Sequence, residues 1–309
     1  MKALIRIVTV LTAALMFCAL TGCMGITSTY DHADEYTSGG REISGEVTAL
    51  DIDWSAGSVS VSAYDGSTVS IAETCSDDLS EDQKVHTWLD GTVLRVRYCR
   101  SGETFMMSSP DKKLEIKVPR SAKLRSIDHN GSSTDTDFSS MTAESIKVDL
   151  SSGEARLKDC SAKIFELDSS SGDITLDQKG ESEKIKAEAS SGKIKITAET
   201  VGELKLDTSS GDKEISVQKA DHILSDSSSG STELRLGTMP ADMSIEASSG
   251  DVTLYIPADA DFKGVIDTSS GDISFDLPLS NSGDTYTCGS GTNSLNIETS
   301  SGDISLRKA

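Results

Sequence analysis

An acidic residue, one variable residue and then Ser-Ser-Gly recur eight times between residues 149 and 302. The copies begin at Asp149, Asp168, Glu188, Asp207, Asp226, Glu246, Asp267 and Glu298. They end at Gly153, Gly172, Gly192, Gly211, Gly230, Gly250, Gly271 and Gly302, so the steps are 19, 20, 19, 19, 20, 21 and 31 residues. A fixed period near twenty means one supersecondary unit stacked on copies of itself. Such a chain is more readily a rod presenting a surface than a globule with one pocket.

Aligned on their glycines, the copies alternate with a period of two. Seven residues before the glycine stand Ile146, Phe165, Ile185, Leu204, Ile223, Met243, Gly264 and Leu295. Four residues after it stand Leu157, Leu176, Ile196, Ile215, Leu234, Leu254, Phe275 and Leu306. Each repeat therefore reads as strand, tight corner, strand and looser return. Glycine suits the corner because it takes a positive φ at no steric cost. Serines there can bond their own backbone or the next turn's. Repeats of equal length put like positions in register, which predicts an all-β parallel β-solenoid with rungs of about twenty residues.

The boundaries follow from the pattern. Residues 126–309 carry the regular repeats, with a degenerate corner at Asn130-Gly131. Residues 42–125 hold one early copy, Asp53-Trp54-Ser55-Ala56-Gly57, and turns at Asp65-Gly66 and Asp90-Gly91. This irregular section is expected to cap the rod. The long last step contains the Gly- and Ser-rich stretch Ser280 to Asn293, expected as a loop over the far end. The strand Ile304 to Leu306, just before the chain end at Ala309, would otherwise leave that edge bare.

Residues 1–22 read as an export signal: Lys2 and Arg6 precede an apolar stretch, Ile7 to Leu20, too short for an ordinary membrane span. The sequence Leu20-Thr21-Gly22-Cys23 resembles the lipobox of bacterial lipoproteins. That resemblance implies cleavage before Cys23, lipid on Cys23, and a chain anchored to the cell membrane facing out of the cytoplasm. Residues 23–41 then read as a flexible tether. The whole chain carries a net charge of −21, and loss of Lys2 and Arg6 with the leader makes it −23. So acidic a surface excludes nucleic acid and favours cationic partners.

Four further cysteines remain. Cys160 and Cys288 lie about six repeats apart, nearly 30 Å at ~4.8 Å per stacked strand, too far for a disulfide. Cys75 and Cys99 each end a strand-like run and are the candidate bridge, although the alternation places them on opposing faces.

The recurring Ser-Ser-Gly-Asp-Ile units, entire at 170–174, 269–273 and 300–304, resemble the bacterial putative-adhesin β-strand-repeat family, a domain of unknown function. The resemblance extends over most of residues 42–309. It implies a β-solenoid at the cell surface or in the envelope, and it carries over no catalytic residue. Lys193 and Ser231 depart from the acidic residue that usually follows the glycine.

Two outward columns of carboxylates follow from the register. One is the residue four before each glycine, acidic in all eight copies; the other follows the glycine directly, as in Glu154, Asp173 and Asp212. Stacked carboxylates repel and need screening. A Ca²⁺ ladder is one answer, but the calcium-binding nine-residue repeat with its extra glycines is absent. A solvated face bonded to the corner's own N–H groups is the other. His32, His86, His129 and His222 are scattered without ligand spacing, and no Gly-x-Ser-x-Gly elbow precedes a helix. The expected function is non-catalytic: an adhesin-like module or envelope scaffold binding a protein, peptide or glycan. The alternatives are a sensor or decoy for cationic peptides, and a carbohydrate-active β-helix enzyme. The unbroken acidic column, Asp149 to Glu298, is the candidate binding surface.

Overall fold

A computed structural model describes residues 26–105 and 111–309. The expected leader, 1–22, and the expected lipid site, Cys23, lie outside the described residues. What is described is an all-β parallel solenoid, each rung made of two walls joined at the Ser-Ser-Gly corner. The walls bend within long strands, such as Ala155–Ser171, Ile174–Ala189, Ile194–Thr208 and Lys213–Ser229. Pairing is parallel and in register: Phe165 sits beside Ile185, Ile185 beside Leu204, Leu204 beside Ile223, and Ile223 beside Met243. These residues are fully buried, as are Leu176, Ile196, Leu234 and Leu254 on the facing wall. One thin apolar seam therefore runs the length of the coil, as expected for parallel strands shielded from water on their inner face.

The corner glycines meet the expected need for positive φ at four of the eight corners and a second need at all eight. Gly153, Gly230, Gly250 and Gly302 have positive φ, but Gly172, Gly192, Gly211 and Gly271 do not. What all eight share is contact with the neighbouring corner. A Cβ on Gly211 would lie 1.8 Å from the carbonyl oxygen of Gly192, and one on Gly192 would lie 2.1 Å from that of Gly172. Corners stack backbone on backbone, and any side chain would part them. The return bends use left-handed residues instead, at Ser140, Asp159 and Gly180.

Residues 42–125 close one end. The strand Ala49–Tyr64 forms the first full rung against Leu124–Ser139, and antiparallel strands at Val69–Cys75 and His86–Asp90 lie outside it. Asn130 pairs with Asp53, so the early acidic position joins the stack; the corner position facing Gly57 is Thr134, not Gly131. The described part of the expected tether is docked on this cap rather than free. Thr37–Ser38 pairs with His86 and Thr87, and the Tyr30 hydroxyl donates to the Cys99 carbonyl at 2.9 Å. Tyr30, Tyr36 and Trp88 pack in series beside Arg97. The rings supply the apolar contact that a Gly/Ser-rich segment lacks.

The far end departs from simple succession. The last rung, Asn293–Ser301 with Ile304–Lys308, sits between the rungs of Glu246 and Asp267. The chain builds the Asp267 rung first, leaves through the hairpin Ser280–Ser282 and Thr285–Cys288, and then returns beneath it. Ile304–Lys308 is thus paired on both sides, and the bare edge is Ile273–Phe275.

The candidate acidic groove

The eight acidic residues expected to form a column do so. Cα pairing joins Asp149 to Asp168, Glu188, Asp207, Asp226 and Glu246 in turn, then Glu246 to Glu298 and Glu298 to Asp267. Asn130 and Asp53 extend the line toward the cap. Adjacent members are one strand spacing apart, ~4.8 Å. The crowding shows in Asp168, whose pKa is raised by partial burial and then by the Asp149 and Glu188 carboxylates.

Relief of this repulsion differs along the ladder. Lys186 pairs with Glu188 at 2.7 Å, and Lys147 and Lys205 stand two residues ahead of Asp149 and Asp207. Beyond Lys205 that flanking position holds Leu224, Ser244 and Asn296 in successive rungs, none of them charged. Asp226, Glu246 and Asp267 are exposed and make no ion pair within the described chain, while Glu298 accepts only from the Asn296 amide at 3.0 Å. Here the surface is indented by a groove of about 540 Å³. Its lining includes Asp207, Asp226, Glu246, Glu298 and Asp267 and, two residues along from the last four, Ser228, Ser248, Ser300 and Ser269. Five carboxylates and a row of hydroxyls thus face one trough.

The second acidic column is structural. Asp173 Oδ1 accepts the backbone N–H of Lys193 at 2.8 Å, and Asp212 Oδ1 accepts that of Ser231 at 2.8 Å. Asp135 does the same for Glu154, Asp251 for Asp303, and Asp303 for Asp272. Each carboxylate satisfies a donor one rung further on that the bend has removed from the ladder. Lys193 and Ser231 interrupt the column without harm because each supplies the N–H, not the carboxylate. Among the described residues, no three His, Cys, Asp or Glu side chains converge as a metal site.

Lys112 and Lys213 are fully buried. Lys112 pairs with Glu73 at 2.7 Å and lies over the Tyr98 ring at 4.1 Å, pinning the cap. Lys213 occupies an apolar column between Ile194 and Thr232, and its Nζ donates to the Asp226 carbonyl at 2.6 Å. Burial lowers its pKa to about 8 against the opposing pull of Asp226 and Asp207. Each was visible only as a lysine at an inward-facing position.

His129 is sealed in the core, with Nε2 2.9 Å from the Thr136 hydroxyl, and burial depresses its pKa to about 4. It is a neutral structural histidine. Cys75 and Cys99, the candidate bridge, are free thiols, as are Cys160 and Cys288. Cys99 is fully buried and its pKa is pushed up to about 11 by that burial. No helix among the described residues is long and apolar enough to cross a membrane.

The model of the Toastrack DUF4097 family matches residues 47–307, the whole solenoid with its cap. The chain belongs to this family. Solved structures with similar folds include a protein from Parabacteroides merdae named "putative adhesin", 12% identical, covering 89% of this chain and 97% of its own, with a TM-score of 0.47. Another, from Parabacteroides distasonis and named "putative lipid binding protein", is 16% identical over 89% of this chain and 97% of its own, with a TM-score of 0.44. A "putative adhesin" from Bacteroides fragilis is 14% identical over 86% and 95%, with a TM-score of 0.38. No curated protein matches the chain.

Proposed function

We propose that this Toastrack chain is a non-catalytic binding module of the cell envelope, held to the membrane by lipid on Cys23, that takes cationic peptide segments along its acidic groove. The observation that carries the reading is the run Asp226, Glu246, Glu298 and Asp267. These four exposed carboxylates stand on successive rungs and make no side-chain ion pair within the described chain; the buried Lys213 ammonium approaches only the Asp226 carbonyl. A self-repelling row of this kind costs stability when empty and is relieved by a ligand bearing positive charges at similar spacing. The serines beside them offer hydroxyls that donate to or accept from a peptide backbone. A long, shallow trough suits an extended ligand better than a small substrate. The neutral, sealed state of His129 supports binding without catalysis.

The test is binding of fluorescein-labelled octalysine at 50 and 500 mM salt. The reading expects affinity to fall at least a hundredfold at the higher salt, because the contacts are exposed charges. Salt-insensitive binding of a neutral glycan, with no octalysine binding, overturns it in favour of an adhesin for uncharged polymers. For the anchor, Cys23→Ala should move the protein from membranes to the soluble fraction. Retention on membranes refutes lipid at Cys23 as the sole attachment.

A further inference from the structure

The open end of the solenoid lies one wall beyond the groove and shares only the Asp267 rung with it. Its outermost parallel strand is Ile273–Phe275, which pairs with Ile304–Lys308 on one side only. The hairpin strand Thr285–Cys288 covers the other wall of that rung as far as Phe262–Val265 and stops. Ile304 donates to the Asp272 carbonyl at 2.9 Å and Asp276 donates to the Leu306 carbonyl at 3.0 Å. Residues 272 and 276 therefore face inward along the sheet, and the alternation turns the N–H and C=O of Ile273 and Phe275 to the open edge.

Three further features mark this edge. Ile273, Phe275, Leu277 and Leu279 are only half-buried, whereas Val252, Leu254, Ile304 and Leu306, in the rungs beneath, are sealed. The seam's last rung is covered only in part, by Tyr286 of the hairpin, whose ring centroid lies 5.0 Å from that of Phe275. The Asp251 carboxylate holds the N–H of Asp303, and the Asp303 carboxylate holds that of Asp272. The Asp272 carboxylate is the last in this chain of bonds and has no N–H to receive. Lastly, Asp267 and Asp272 leave this rung acidic, and Asp284 adds charge at the covering hairpin.

We infer that the Ile273–Phe275 edge accepts one added β-strand, laid parallel, from a partner whose exposed segment alternates apolar and basic residues. Main-chain bonds to Ile273 and Phe275 supply affinity. Apolar side chains of the strand complete the seam over Phe275, and one of its backbone N–H groups satisfies Asp272. Basic residues fit the acidic flank. A second copy of this chain does not fit, because two such ends face to face set Asp267 and Asp272 against their own likenesses. The opposite end offers no open parallel wall, being closed by antiparallel strands.

The experiment measures binding of two labelled ten-residue peptides to the full chain, each alternating Val with Lys or Thr. One is unmodified and the other is N-methylated at alternate residues. The inference expects N-methylation to weaken binding at least tenfold and Asp272→Asn to weaken the unmodified peptide threefold or more. It also expects hydrogen exchange at Ile273 and Phe275 to slow on binding. Equal affinity of the two peptides overturns it, since charge alone would then explain binding. So does a peptide-free dimer by sedimentation that Phe275→Lys dissociates, which would make a second copy the occupant. The groove reading is tested separately: Asp226→Asn with Glu246→Gln lowers octalysine affinity and leaves the N-methylation ratio unchanged.

Discussion

The carboxylate of Asp212 accepts both the backbone N–H and the hydroxyl of Ser231, one rung along the coil, at 2.8 and 2.9 Å. This bond ties rung to rung at the point where the bend interrupts the sheet ladder. It lowers the Asp212 pKa, through the backbone donor first and the hydroxyl second. A carboxylate with a depressed folded value stabilises fully above its unfolded pKa, near 4, and loses that contribution as pH falls through the folded value. Asp212→Ala is predicted to cost about 1 kcal/mol at pH 7, a modest figure because the site is exposed. The deficit should shrink below pH 3. Urea unfolding of both proteins at pH 7 and pH 2.5 checks this; an equal deficit at the two values removes the carboxylate from the explanation.

Corner glycines should be far less replaceable than loop glycines. Gly211→Ala places a methyl group 1.8 Å from the Gly192 carbonyl oxygen. Separating stacked backbones is predicted to cost about 3 kcal/mol or more. Gly283, at the hairpin tip, has φ of 61° but open space around it. Gly283→Ala should cost only about 1 kcal/mol, from backbone conformation alone. Denaturant midpoints of the two variants give the comparison, and equal losses would contradict the close-approach account.

Lys213 should make the protein more stable in mild alkali. Its folded pKa of about 8 lies below the ordinary lysine value of 10.5. Charging it inside the coil is a penalty present in full below pH 8, which disappears as pH rises to about 10.5, where both states are neutral. The difference amounts to about 3 kcal/mol. Lys213→Met removes the buried charge and keeps an unbranched stem of similar reach. The variant is predicted to be more stable than the parent at pH 7 and to lack the parent's rise between pH 8 and 10. Parallel pH profiles of the two proteins would show the same slope if the lysine were solvated.

Much of this architecture was legible because every rung repeats the same constraint. The columns of Ile185, Leu204 and Ile223, and of Glu188, Asp207 and Asp226, follow from equal repeat lengths alone. Rung order at the end was not legible. A longer step announces an insertion but not which neighbour the chain rejoins, so the placement of Glu298 between Glu246 and Asp267 required the hairpin pairing of Phe262 with Cys288. The reason for the corner glycines was half legible: positive φ explains Gly153 but not Gly211, whose need arises from a neighbour one rung away. Tyr30 and Tyr36 sit in a segment whose Gly and Ser suggest a tether, and only their partners Arg97 and Trp88 show it docked. Lys213 hid because Gly-Asp-Lys reads as polar surface, while the period of two places its Cβ inside.

On the proposed function, the groove carboxylates are kept for a cationic ligand at the expense of stability. The variant Asp226→Asn, Glu246→Gln, Glu298→Gln tests it in one protein, by octalysine titration at 50 mM salt and thermal unfolding without ligand. The account predicts affinity at least tenfold weaker together with a higher Tm, because each relieved like-charge pair returns roughly 0.2–1 kcal/mol. Unchanged affinity, or a lower Tm, would contradict it.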